Sequence, residues 1–191
     1  MVAIHKALRY ILTVNEKQMT LGADWSGQCV DGWFASEKLD GCRAYWDGSR
    51  FWTRGGKVID APEWFTEGLP ACHLDGEIWA GRGGFNAARN AVNFGRFNSG
   101  IRFAVFDAPN ASGNWSERIA SISLVSSNAF VVKCAVVSSR KEMIADMQRI
   151  QACGGEGLIV RNPAIRFYER GRTSNILKVK RLLNEDWNSI F

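Results

Sequence analysis

The sequence contains no apolar run that approaches the roughly 20 residues needed to cross a bilayer. It has no internal repeat, no low-complexity stretch and no recognisable linker. Its opening, Met1 to Val14, is mildly apolar, but Lys6 and Arg9 break it and no small-residue cleavage site follows. On that pattern the segment is expected to be part of the fold and not a secretory leader. The five cysteines, Cys29, Cys42, Cys72, Cys134 and Cys153, are odd in number, and no two stand at C-x-x-C spacing. A disulfide framework and a structural zinc site are thereby disfavoured, and a reducing compartment is expected.

The 191 residues are 46% hydrophobic, which suits one domain with a real core and excludes a disordered chain. The net charge is +5, but its distribution is uneven. Residues 161–181 carry Arg161, Arg166, Arg170, Arg172, Lys178, Lys180 and Arg181 against Glu169, seven basic groups to one acidic and a balance of +6. Such a stripe suits phosphate ligands, whether nucleotide or nucleic acid; a solvated basic face is the plainer alternative.

Strand signals dominate. "WFASEK" reads as a strand entering a turn, and "RAYWDGSRFW" as a hairpin whose Asp-Gly supplies the positive φ of a tight turn. "ACHLDGEIWA", "IRFAVFDA", "FVVKCAVV", "EGLIVRN" and "NILKVKR" read as further strands. Two helices are expected. One covers about 115–127; the other starts at Ser139, which stands at capping-box spacing from Glu142, and ends at Gly154 and Gly155. Many strands with scattered helices predict an α+β fold.

The candidate chemistry starts at "SEKLDGCRAYWDG". A free lysine has a pKa near 10.4, so only about one in 10³ molecules is a nucleophile at neutral pH. For Lys38 to act as one, burial or neighbouring cations must disfavour its charged form; Arg43, Trp33, Phe34, Tyr45 and Trp46 are at hand. By itself K-x-D-G is weak, since a lysine before a turn is usually solvated. Downstream come Arg54 in a turn, Glu77 on a strand between apolar residues, Phe106 in an apolar strand and Glu156 between glycines. Lys178 and Lys180 alternate with Leu177 and Val179 and so share one strand face, where an anion would relieve their repulsion.

Taken in order, these pieces resemble the nucleotidyltransferase motifs of ATP-dependent DNA ligases and mRNA-capping enzymes, from about residue 30 to 181. The strings "SEKLDG", "APEWFTEGLP", "LDGE", "FDAP" and "GGEGL" look especially like small bacterial and phage DNA ligases. The resemblance implies the ATP-grasp-like ligase fold, with antiparallel sheets flanked by helices, in a single domain over 1–191. Lys38 would attack the α-phosphate of ATP and carry AMP. Arg43 and Arg54 would contact ribose and phosphates, Glu77 a ribose hydroxyl, and Phe106 the adenine, which Glu37 would border. Glu156, with Glu77, would hold Mg²⁺ or Mn²⁺. Lys178 and Lys180 would neutralise the α-phosphate, while Arg172 would meet AMP or, like Arg54, the DNA phosphate. The implied partners are ATP and nicked double-stranded DNA, with no membrane, for a cytoplasmic monomer in a bacterium or phage-infected host.

Two departures stand out. Ligases of this family continue into an OB-fold domain, whereas this sequence stops eleven residues after Lys180; it is read either as a piece of a longer chain or as a stand-alone core with a separate OB-fold partner, and slow chemistry is expected in both cases. Where those relatives tend to carry a lysine ahead of the nucleophile strand, "QMTLGADW" has Gly22. Only 37 residues precede Lys38, too few for the domain that binds the nicotinamide half in NAD-dependent ligases, which favours ATP. The alternatives are an RNA ligase or capping-type guanylyltransferase core, and a non-catalytic module that binds nicked DNA. If binding alone were the function, Lys38→Ala would leave DNA affinity nearly unchanged and steeply salt-dependent, which a titration of labelled nicked duplex at several salt concentrations checks.

Overall fold

A computed structural model describes residues 19–180. The Met1 to Val14 segment and Arg181 lie outside the described residues. In chain order the elements are β1 (Thr20–Asp24), β2 (Phe34–Lys38), β3 (Cys42–Trp46), β4 (Phe51–Thr53), β5 (Val58–Ile59), α1 (Glu63–Thr66), β6 (Leu74–Trp79) and α2 (Phe85–Phe94), followed by β7 (Arg102–Asp107), α3 (Trp115–Ala120), β8 (Ala129–Val131), β9 (Cys134–Val136), α4 (Arg140–Ala152), β10 (Gly157–Arg161) and β11 (Gly171–Val179). The strands form a five-stranded sheet, β1-β11-β10-β2-β9, and a six-stranded sheet, β5-β4-β3-β6-β7-β8. The sheets are mixed: the β1–β11 and β7–β8 pairings are parallel, while the other pairings are antiparallel as expected.

Each sheet has one apolar face with its own core. In the five-stranded sheet Leu158, Val160, Leu177 and Val179 pack with Met143, Ile144 and Met147 of α4. In the six-stranded sheet Ala44, Leu74, Ile78, Phe103 and Val105 pack with Phe51, Phe65 and the alanines Ala88 and Ala91 of α2. Strand alternation then sends the polar residues of both sheets to the opposite faces. Those two faces meet across a cleft.

The expected elements are present with four differences. The hairpin pairs β3 with β4, but its loop is Asp47 to Arg50, with Gly48 at φ 95° and the Asp47 N–H donating 3.1 Å to the Arg50 carbonyl. "FVVKCAVV" is not one strand: β8 joins the six-stranded sheet and β9 the five-stranded one, so the chain changes sheets between them. The first expected helix ends at Ala120 and is capped by a complete Asn114–Glu117 box. At the second helix Ser139 accepts from the Glu142 N–H, while the Glu142 carboxylate bonds Ser138, so only half of that box forms.

A buried ion pair holds α3 to the sheet. Arg118 donates to Asp107 from Nε at 2.8 Å and Nη2 at 2.9 Å, and both side chains are almost fully buried. Trp115 donates to the Phe106 carbonyl at 2.8 Å, which braces the strand from behind. Removing one partner of such a fork strands the other charge in low dielectric. Asp107→Ala should therefore cost about 3 kcal/mol or more, read as a lowered urea midpoint with unchanged m-value.

Candidate functional site

The cleft between the sheets has a volume of about 810 Å³, within the usual range for a small-molecule site. Its walls include Glu37, Lys38, Arg43, Arg54, Glu77, Phe106, Arg172 and Lys178. These residues, scattered from 37 to 178, are gathered because β2 and β3 belong to different sheets. Only Leu39, Asp40 and Gly41 separate the two strands, so Lys38 enters the cleft from one wall and Arg43 from the other. Gly41 is needed for that crossing. A Cβ there would lie 2.4 Å from the Ile78 carbonyl oxygen and 2.8 Å from Glu77 Cγ. Its lack of a side chain thus serves backbone packing.

Lys38 is an ion-pair partner. Gly157 lies opposite Lys38 in the β2–β10 register, which sets Glu156 at the strand end beside it. The Lys38 ammonium bonds Glu156 Oε2, and Lys180 reaches Oε1 of the same carboxylate at 2.7 Å. Burial would raise the Glu156 pKa, but hydrogen bonds from Lys180 and Lys38 outweigh it and hold the carboxyl below its usual range. Lys178, on the same strand face, pairs with Asp24 at 3.0 Å. The repulsion between Lys178 and Lys180 is thus relieved by two carboxylates, one for each.

The opposite wall is organised by Asp75, which is buried and has no motif signal of its own in the sequence. Its carboxylate receives a two-pronged contact from Arg43, Nε to Oδ1 and Nη2 to Oδ2, each 2.6 Å. The Tyr168 hydroxyl adds 2.6 Å to Oδ2 and accepts the Thr20 N–H at 2.9 Å. Arg43 Nη2 also donates to the Thr20 carbonyl at 3.1 Å. Burial opposes the charge of Arg43, but Asp75 more than offsets it and the guanidinium is held firmly protonated. These bonds engage Nε and Nη2, so any contact of Arg43 with a ribose or phosphate falls to Nη1.

Glu77 faces Arg43 directly across the β3–β6 register. Burial pushes its carboxyl up to about 7, against the pull of Arg43 and Lys38. Phe106 reaches the cleft with the Arg43 guanidinium 4.6 Å from its ring centroid and that of Arg161 5.4 Å away. Arg161 is buried, donates to Ser36 Oγ at 3.0 Å, and is shifted down by that burial. It belongs to the floor of the cleft, so residues 161–180 do not form one basic face: Arg166 and Arg170 are exposed, while Arg172 and Lys178 line the cleft.

The remaining predicted residues sit at the rim. Arg54 is exposed at the cleft edge, and Arg172 donates 3.1 Å to the Gly22 carbonyl. At Gly22 a Cβ would meet Ile176 Cγ2 and its carbonyl oxygen at 3.0 Å, so any side chain there requires Ile176 to give way. Glu37 points away from Lys38, as neighbours on a strand must. Arg82 grips its carboxylate at 2.8 and 2.9 Å and links the two walls.

Among the described residues no group of three His, Cys, Asp or Glu forms a metal cage, and the five cysteines are free thiols. Magnesium commonly binds through one or two carboxylates, water and substrate phosphates, and Glu77 and Glu156 fit that limited donor set. Among the described residues no helix is long and apolar enough to cross a membrane.

The chain matches no family model. It is similar to a DNA ligase of Haemophilus influenzae, 31% identical over 169 residues that make up 85% of this chain and 63% of that protein. The chain therefore spans a little under two thirds of that relative's length. Among solved structures, a Lig E DNA ligase, described as binding DNA with a minimal scaffold, has a TM-score of 0.78 at 30% identity, over 86% of this chain and 68% of that one. The Chlorella virus DNA ligase-adenylate has a TM-score of 0.72 at 19% identity, over 85% and 68% of the two chains. The bacteriophage T7 ATP-dependent DNA ligase in complex with ATP has 0.65 at 16%, over 88% and 70%. The last two likenesses concern the fold alone.

The raised carboxyl of Glu77 has a measurable effect on stability. Between its ordinary value of 4.5 and about 7, the folded chain holds a proton that the unfolded chain has released. Stability therefore falls as pH rises through that window and levels off above it. Glu77→Gln should flatten this slope and be at least as stable as the parent at about pH 8, as urea midpoints across the window will report.

Proposed function

The chain belongs to the ATP-dependent DNA ligase family, and on that premise we propose that Lys38 takes AMP from ATP and hands it to the 5′-phosphate of a DNA nick. The observation that carries this reading is the placement of Lys38 at the meeting of the two walls, with Glu156, Lys180 and Lys178 beside it.

In the first step the deprotonated Lys38 Nζ attacks the α-phosphorus. A P–N bond forms, the α–β phosphoanhydride P–O bond breaks, and pyrophosphate leaves. Lys38 first loses a proton to solvent water and lets go of Glu156, and an incoming triphosphate supplies the reason for that release. Its anionic oxygens compete with Glu156 and Asp24 for Lys180 and Lys178. Two ion pairs that neutralise these lysines without ligand are thus exchanged for contacts to the substrate. Positioning and charge neutralisation are the main demands of such a transfer.

The rest of the cleft orients the nucleotide. Glu77 accepts from a ribose hydroxyl in its ionised form. Phe106 offers its ring to the adenine, sharing it with Arg43. Arg54 and Arg172, at the rim, meet phosphates of ATP or of the nick, and Glu37 borders the base. A divalent ion held by Glu77 and Glu156 with the phosphates would supply further charge neutralisation.

In the second step an oxygen of the nick 5′-phosphate displaces Lys38 from the AMP phosphorus, leaving AMP joined to the DNA. The 3′-hydroxyl then attacks the 5′-phosphorus, closes the phosphodiester and expels AMP.

The test is the intact mass of the chain, stripped with pyrophosphate and then incubated with ATP and magnesium. The expected result is the gain of one AMP, lost on pyrophosphate treatment, absent in Lys38→Ala and absent with GTP. A gain with GTP in place of ATP would make the chain a guanylyltransferase. No gain with either nucleotide would remove the first step from the proposal.

A further inference from the structure

Helix α2 is inverted for a surface helix. It buries two alanines, Ala88 and Ala91, both at zero exposure, and exposes two phenylalanines, Phe85 at 38% and Phe94 at 67%. A surface helix normally does the reverse, because burying a phenylalanine gains far more than burying an alanine. The small residues are explained by close packing onto β3 and β6. The exposed rings are not explained by the fold.

Charge supplies the second observation. Between Glu77 and Asp107 the sequence contains no acidic residue and four arginines, of which Arg82, Arg89 and Arg96 recur every seven positions. Arg89 and Arg96 are exposed, each with its guanidinium over an exposed ring, Arg89 at 5.9 Å from Phe85 and Arg96 at 5.5 Å from Phe94. Asn86 and Asn93 complete the solvent side. The helix therefore offers cations, amides and aromatic faces, with no carboxylate of its own; Asp60 is the acid near its end, its Oδ2 4.0 Å from a Cβ placed on Gly95. The face is also continuous with the cleft, since Phe85 and Asn93 belong to its wall.

We propose that the solvent side of helix α2 and of the turn that follows it, centred on Arg89, Phe94 and Arg96, is a docking surface for the DNA strand that leaves the cleft. The arginines would hold successive phosphates, and Phe94 would lie against a sugar or an unstacked base beside the break. Basic groups interleaved with exposed aromatics are what a polyanion carrying flat bases selects. An apolar protein partner would not call for the arginines, and a small anion would not call for the rings. This inference rests on the DNA ligase reading of the cleft and extends it to where the DNA lies.

The experiment measures binding of the whole chain to a labelled nicked duplex across a salt series, beside AMP loading of Lys38, which needs no DNA. For Arg89→Ala/Arg96→Ala the expected result is weaker binding with the slope of log affinity against log salt reduced by about two, one for each lost phosphate contact. Phe94→Ala should weaken binding about fivefold or more with the slope unchanged. AMP loading should match the parent in both variants. Parental affinity and slope in the arginine variant would overturn the proposal while leaving the ligase reading intact. So would loss of a dimer on Phe94→Ala with DNA binding preserved, since the face would then belong to a second copy of the chain. Failure of the parent chain to bind nicked duplex at any salt would instead remove the DNA reading on which the proposal rests.

Discussion

Two charged sheet faces that must look at each other are the constraint on which this structure depends. The outer faces take the apolar residues and their helices, so Lys38, Arg43, Asp75, Glu77, Arg161 and Lys178 are left pointing inward. Such faces cannot collapse onto one another without stranding charge, and they cannot drift apart without losing the fold. Asp75 resolves the conflict. It takes the fork of Arg43 on its own sheet and the hydroxyl of Tyr168, and Tyr168 and Arg43 both hold the backbone of Thr20 on the facing sheet. One buried carboxylate thus spans the base of the cleft, leaving its upper part open for a ligand. Replacing this network with apolar side chains would satisfy packing but close the space.

The same economy of charge appears at Lys38. Lysines gathered at one cleft repel one another unless carboxylates lie between them. Glu156 between Lys38 and Lys180, and Asp24 beside Lys178, supply that negative charge. Glu77 shows the opposite compromise. Burial raises its carboxyl to about 7, a cost to the folded state.

The limits of the sequence are instructive at particular residues. The β2 strand, Lys38 and the following turn were legible, because a short alternating strand and a Gly-bearing turn are local signals. "FVVKCAVV" reads as one strand, since β propensity cannot reveal that its halves pair with different sheets. The helix Phe85–Phe94 gave no apolar stripe, because its buried side is alanine and its exposed side aromatic. Asp75 and Tyr168 were passed over for the same kind of reason: a lone Asp and a lone Tyr acquire meaning only from the 93 residues of chain that fold back to join them.

By itself the sequence determined the α+β class, most strand positions and the set of residues from Lys38 to Lys180 that line or adjoin one cleft. Alternation and turn chemistry are encoded within a few residues, and an ordered set of motifs carries its own signature. Only the tertiary structure decided who pairs with whom. It assigned Glu156 to the lysines, Arg43 to Asp75 and Glu37 to Arg82, and showed Gly41 packed against backbone. Partner choice for a charge depends on which groups come within a few ångströms after burial, and that distance is a property of the packed sheets, not of spacing along the chain.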